Sequence, residues 1–232
     1  MSGEPLQPNH PTQGVALVTG GGGGIGGATA IRLAAGGVAV AVADFDATSA
    51  EDVTRQIVDA GGTALAVALD VADPASVAEA VASTEGALGS VDQLVNTAGW
   101  FEWAPAEGIS DEAFERMFRV HVFGMHSVCR AVLPGMQARK AGAIVNVTSI
   151  HAIRGQSLTA HYSAAKGAIL AYTKSLAREK SPLGIRVNAV APGPIDTPLW
   201  RGGMTEADAN KTMAERDRKS TRLNSSHQII SY

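Results

Sequence analysis

Apolar residues fall along this chain in short dense runs separated by longer amphipathic stretches. The runs lie at 15–19 (VALVT), 38–44 (VAVAVAD), 63–71 (TALAVALDV), 91–99 (VDQLVNTAG), 142–149 (GAIVNVTS) and 184–193 (GIRVNAVAPG). Val, Ala and Ile occupy neighbouring positions in them, so both faces of each strand are apolar. Such strands belong to a parallel sheet covered on both sides. The stretches between them read as helices: 26–36, 47–62, 74–89 with Pro at its start and Gly at its end, one long helix from about Ser110 to Lys140, and 160–180. Right-handed crossovers then give an α/β, doubly wound Rossmann sheet with helices on both faces. No internal repeat or linker divides it. The expected layout is a flexible leader at 1–13, one domain at 14–216 and a tail at 217–232.

Composition narrows the function. Of 232 residues, 45% are hydrophobic and 18% charged, with a formal net charge of −3. That is ordinary for a soluble globular protein and gives no global attraction to nucleic acid or anionic membranes. Cys129 is the only cysteine, which excludes an internal disulfide and a cysteine metal cluster. The most apolar run, LAAGGVAVAVA, is too short and too glycine-broken to span a bilayer. The N-terminal residues lack the basic flank and apolar stretch of a signal peptide. A cytoplasmic enzyme with no metal is the expectation.

Candidate chemistry begins at TGGGGGIGGAT, which joins the first strand to the first helix. Glycines allow a tight turn and close approach to a pyrophosphate, and the helix N-terminus offers N–H groups to it. Asp44 ends the second strand, where a carboxylate can accept hydrogen bonds from the adenosine ribose hydroxyls and repel a 2′-phosphate. No Arg or Lys lies in the loop or immediately after Asp44. NAD is favoured over NADP.

The motifs together resemble the short-chain dehydrogenase/reductase family. Thr19, Gly20, Gly24, Ile25 and Gly26 match its TGxxxGIG pattern. Asp70, followed by Val71, matches its adenine-contacting Asp. NTAG, with Asn96, Ala98 and Gly99, resembles its NNAG motif with Thr97 replacing the second Asn. Ser149 stands at the family's spacing before YSAAK, so Tyr162 and Lys166 resemble its catalytic pair. Asn188, Pro192, Gly193, Ile195 and Thr197 fall in a stretch like its PG motif. The match covers nearly all of 14–200 and is similar in style to 3-oxoacyl-ACP reductases and alicyclic hydroxyacyl-CoA dehydrogenases.

This implies interconversion of a small-molecule secondary alcohol and a ketone by hydride transfer. Tyr162 and Lys166 are one helical turn apart and share a face. A nearby ammonium and the positive nicotinamide ring are expected to lower the phenol pKa so that Tyr162 exchanges the proton. Lys166 also holds the nicotinamide ribose, and the Ser149 hydroxyl meets the substrate oxygen. An NADPH-dependent 3-oxoacyl-ACP reductase and a non-catalytic dinucleotide sensor or inactive fragment are the alternatives. The resemblance further implies a homotetramer, with the long helices after strands four and five forming one interface.

His121 stands where the family has Asn, in VHVFG. It either joins the proton relay, since its unperturbed pKa is near 6.5, or packs between helix and sheet. Trp100, Phe101 and Trp103 either wall an apolar substrate pocket or anchor their own loop. His151 and Arg154 meet an anionic group of the substrate or are solvated. Residues 204–216 resemble the start of a substrate-binding lid. The tail, DRKSTRLNSSHQIISY, matches the translation of a widely used sequencing-library adapter. It is therefore expected to be read-through, with the sheet truncated before a seventh strand.

Overall fold

The computed structural model describes residues 14–202, 205–207, 210–211 and 228–230. The leader, most of the expected lid and most of the tail lie outside the described residues. Six parallel strands form the sheet: β1 (Val15–Thr19), β2 (Ala39–Asp44), β3 (Ala64–Ala68), β4 (Val91–Asn96), β5 (Gly142–Val147) and β6 (Ile185–Ala191). Their order is β3-β2-β1-β4-β5-β6. The order reverses at β1, so the crevice at the carboxyl ends of β1 and β4 is the natural ligand site of such a sheet.

Alternate strand residues build two cores. On one face Ala16, Val18, Val40 and Val42 pack against Ala30 and Ala34 of α1 (Gly24–Ala35) and Val53 and Ile57 of α2 (Ala47–Asp59). On the other, Leu17, Leu94, Ile144 and Val187 meet Val77 of α3 (Pro74–Leu88), Val128 and Val132 of α5 (Met125–Arg139) and Ile169 of α7 (Ala160–Lys180). Helix starts follow their capping residues. The Asp46 carboxylate accepts from the Thr48 and Ser49 N–H groups, Asp73 caps the Pro74 start of α3, and Ser110 caps α4 (Asp111–Phe118).

Three features differ from the sequence expectation. The long helix over 110–140 is three pieces: α4, a π-helical turn at Arg119–Gly124, and α5. Two single-turn helices, α6 (His151–Arg154) and α8 (Pro198–Arg201), lie in segments without enough length to show a period. Finally, Gln228–Ile230 (β7) pairs antiparallel with β6, opposite Ala189, Val190 and Ala191, so the sheet does not end at β6. Two adjacent β-branched residues suit a strand, and the outer edge of β6 offers unpaired backbone groups. No helix among the described residues is long and apolar enough to cross a membrane.

Candidate active site

A cleft of about 840 Å³ runs along the carboxyl edge of the sheet, within the size range of small-molecule sites. At one end the β1–α1 loop lies beside Asp44 and Asp70. Gly26 is required there by close approach: a Cβ on it would lie 2.5 Å from Thr97 Oγ1 and collide with the Gly20 carbonyl. Helix α1 begins after Gly23 without any side-chain cap and with no acidic residue in its first turn. Its leading N–H groups thus face the cleft for an anion to use. Asp44 is oriented by the backbone, its Oδ2 accepting from Gly22 N–H at 2.9 Å and its Oδ1 from Asp46 N–H at 3.0 Å. Asp70 Oδ1 accepts from Ala72 N–H at 2.8 Å. An uncapped helix start, closely packed glycines and two oriented carboxylates fit a dinucleotide. Gly20, Gly24, Ile25, Val71, Ala98, Gly99, Pro192, Gly193, Ile195 and Thr197 also line the cleft, with Thr197 packed beside Gly24.

Two expected cofactor residues do not line the cleft. Thr19 is buried beneath it, its Oγ1 accepting from Ala98 N–H at 3.3 Å. Asn96 points under the sheet, donating to Asn146 Oδ1 at 2.9 Å, and Asn146 donates on to Thr173. Both sit at strand ends whose side chains face away from the crevice and tie β1, β4, β5 and α7 together. Thr97 Oγ1, in place of the family's second Asn, donates to the Thr19 carbonyl.

Ser149, Tyr162 and Lys166 meet at the end of β5. Lys166 is buried and its Nζ donates to the Val147 carbonyl at 2.9 Å; the Thr148 hydroxyl anchors the same helix by donating to the Lys166 carbonyl at 2.7 Å. Burial pushes the Lys166 amine down to about 7. Burial also pushes the Tyr162 phenol up to about 12, against a smaller lowering by its hydrogen bond with Ser149. The expected direction for Tyr162 is therefore corrected for the chain alone. Desolvation outweighs Lys166, whose Nζ lies 5.6 Å from the phenol ring centre and whose own charge burial disfavours. A cationic ring bound beside the phenol would act in the opposite sense.

His121 sits inside the π-helical turn and is buried. Its Nε2 lies 2.8 Å from the Trp100 carbonyl and 3.1 Å from the Trp100 N–H. A neutral imidazole can donate to the first or accept from the second. Burial, with the Lys166 charge adding to it, holds its pKa well below the usual histidine value. Its titration is thus moved away from neutrality, contrary to the premise of a relay based on an ordinary histidine. The ring occupies the space a Gly99 Cβ would need.

The other end of the cleft is aromatic and basic. Tyr162 has three rings edge-on to it: Phe101 at 4.9 Å, His121 at 5.6 Å and His151 at 5.7 Å between centres. Phe101 also packs on Trp103 at 4.8 Å. Trp100, Trp103 and Trp200 all line this end, as do His151, Arg116 and Arg119, whereas Arg154 does not. Sequence reading missed Arg116, Arg119, Phe45 and Trp200. The first two had a signal: with Val120 they fall at i, i+3 and i+4, one helical face.

Among the described residues no group of three His, Cys, Asp or Glu side chains could hold a metal ion. The chain is 44% identical over 203 residues to cis-4-hydroxycyclohexanecarboxylate dehydrogenase of Sinomonas cyclohexanicum, covering 87% of this chain and 80% of that one. It is 40% identical to galactitol 2-dehydrogenase of Agrobacterium fabrum, over 80% of this chain and 72% of the relative. The crystal structure of NAD+-bound xylitol dehydrogenase superposes with a TM-score of 0.77 at 35% identity, over 81% of this chain and 73% of that one. Residues 14–207 match the family described as short chain dehydrogenase, and with that match, those relatives and this site the chain belongs to the short chain dehydrogenase family.

Proposed function

We propose that NAD is the coenzyme, that Tyr162 is the general acid/base and that Lys166 and Ser149 hold the coenzyme and substrate for it. The coarser activity follows from the family: a nicotinamide-dependent oxidoreductase that interconverts an alcohol and a ketone at a CH–OH group. One observation carries the finer reading. The Ser149–Tyr162–Lys166 group opens into the same cleft as the uncapped start of α1 and the oriented Asp44.

The bound coenzyme supplies the acceptor or donor of hydride. The Ser149 hydroxyl hydrogen-bonds the substrate oxygen and fixes it beside the phenol. In the oxidation direction Tyr162 takes the hydroxyl proton; in reduction its O–H returns one to the carbonyl oxygen. Lys166, clamped by Val147, holds its ammonium under the phenol and towards the coenzyme ribose. His121 is a positioning residue that fixes the Trp100 backbone. The rings of Phe101 and His151 shield the phenol from water, which strengthens each of these interactions.

Asp44 supports NAD over NADP. Its neighbours in the cleft, Gly22, Phe45 and Ser49, carry no positive charge to neutralise a 2′-phosphate. Initial rates with the two coenzymes test this, together with Asp44→Ala. The proposal expects a strong NAD preference that the variant erodes; equal use of NADP by the wild type would refute it.

A cytoplasmic homotetramer completes the reading. It is supported by the family resemblance. Light scattering measures the assembly.

A further inference from the structure

We propose that the substrate is an anion: a hydroxy or oxo acid with an apolar body, whose carboxylate, remote from the reacting carbon, is received by Arg116. This rests on the alcohol–ketone reading of the site.

The Arg116 guanidinium lies over the Trp100 ring, its Cζ 4.0 Å from the ring centre. Stacking occupies the face of a guanidinium and leaves its in-plane N–H groups available, which is the fork that matches a carboxylate. Among the described residues no carboxylate forms an ion pair with Arg116. The acidic groups of the cleft are committed elsewhere. Asp44 and Asp70 accept from backbone N–H groups at the far end. Asp196, next to the lining residues Ile195 and Thr197 but not itself in the cleft wall, is paired with Arg201 at 2.5 and 2.7 Å. Arg119, three residues along from Arg116, adds a second positive charge to the cleft wall. Arg116 is solvent-exposed at the cleft wall, so the hydrogen-bonding edge of its guanidinium is open to an anionic ligand entering the cleft.

The body of the substrate follows from the wall between the charge and the phenol. Phe101 and Trp103 form a continuous aromatic surface that reaches Tyr162 through Phe101. A hydroxyl placed at Tyr162 and Ser149 then leaves an apolar body lying along these rings. The carboxylate meets Arg116 beyond them, on the Trp100 side. A 2-hydroxy acid carries its carboxylate next to the reacting carbon, among the Phe101 and His151 rings that face Tyr162, and Arg116, stacked on Trp100, is not one of those contacts.

The test uses the full 232-residue chain saturated with NADH and two probes of one shape, cyclohexanecarboxylate and cyclohexanecarboxamide, titrated by calorimetry. At low ionic strength the acid should bind about 3- to 10-fold more tightly than the amide, the scale of a bidentate pair at a solvent-exposed, stacked guanidinium. Arg116→Gln should abolish that preference while leaving amide and NADH affinities unchanged, and Arg116→Lys should restore part of it. Equal binding of acid and amide by the wild type overturns the proposal. So does a preference that survives Arg116→Gln, or a variant that weakens NADH instead, which would assign Arg116 to the coenzyme phosphates. Turnover separates this proposal from the reading beneath it. If 4-hydroxycyclohexanecarboxylate and its amide are oxidised with equal kcat/KM, the anion proposal falls and the alcohol–ketone reading stands. If the acid binds preferentially but neither alcohol yields NADH, the anion site stands and the reading falls.

Discussion

The two ends of the cleft are built from different materials. At the dinucleotide end the contacts are backbone: a glycine loop packed to collision distance, an uncapped helix start, and two carboxylates tied to N–H groups. At the substrate end they are side chains on a loop and four short helical segments: three tryptophans, Phe101, His151 and two arginines. A backbone site is fixed by the fold and changes little without breaking it. A side-chain site can be rewritten residue by residue while the sheet is untouched. Coenzyme class is therefore anchored in the architecture, and substrate choice is layered on it.

Variants can break this division or sharpen it. The largest effect is expected at the joint between the two ends. Tyr162→Phe should lower kcat about 10²- to 10⁴-fold with NADH affinity nearly unchanged; retention of more than about one per cent of turnover would remove Tyr162 from its role. Lys166→Met should also halt turnover, yet raise the thermal stability of the ligand-free chain. Burial pushes the folded amine down to about 7 from the ordinary lysine value of 10.5. The unfolded chain then binds more protons between those values, so wild-type stability rises with pH across that window. The melting-temperature gap between variant and wild type should be widest below pH 7 and shrink towards 10.5; a gap independent of pH would contradict the buried-charge account.

Smaller effects separate the ends themselves. Gly26→Ala drives a methyl into the Gly20 carbonyl and should weaken NADH binding roughly 10- to 100-fold, an overpacking cost of about 1–3 kcal/mol. Phe101→Ala should raise KM about tenfold for an apolar substrate while NADH titration is unchanged, since about 1–2 kcal/mol of apolar contact is lost. A matching loss of NADH affinity would show that the two ends are not independent. The smallest change is expected from His121→Asn, which keeps the main-chain carbonyl and supplies the family's residue. Its kcat should stay within about threefold of wild type, whereas a loss beyond about a hundredfold would make the imidazole itself part of proton transfer.

The same division explains what was readable in the sequence. The six parallel strands and the helices over them follow from apolar periodicity, and β1, the glycine loop and Asp44 follow from local spacing. The Ser149, Tyr162 and Lys166 spacing places those three side chains at one strand end. What escaped depends on contacts between distant residues. The π-helical turn has an ordinary helical composition, and its position is matched by the burial of His121 against Gly99 and Trp100. Thr19 and Asn96 carry the right motif but face the sheet interior, a matter of strand orientation at its last residue. The direction of the Tyr162 pKa reflects burial by Phe101 and His151, which lie 61 and 11 residues away in the chain as their numbers show. Arg116 reaches the cleft only because α4 turns that face towards Trp100.

All three tryptophans of the chain line the substrate end of the cleft. The protein has no other indole to add a constant background. Its intrinsic emission is consequently a local signal, reporting on the walls that touch the substrate rather than on the sheet. Reduced nicotinamide bound next to Tyr162 would sit within energy-transfer reach of all three emitters. Ligand occupancy, coenzyme loading and the order in which they occur can thus be followed optically with the unlabelled protein.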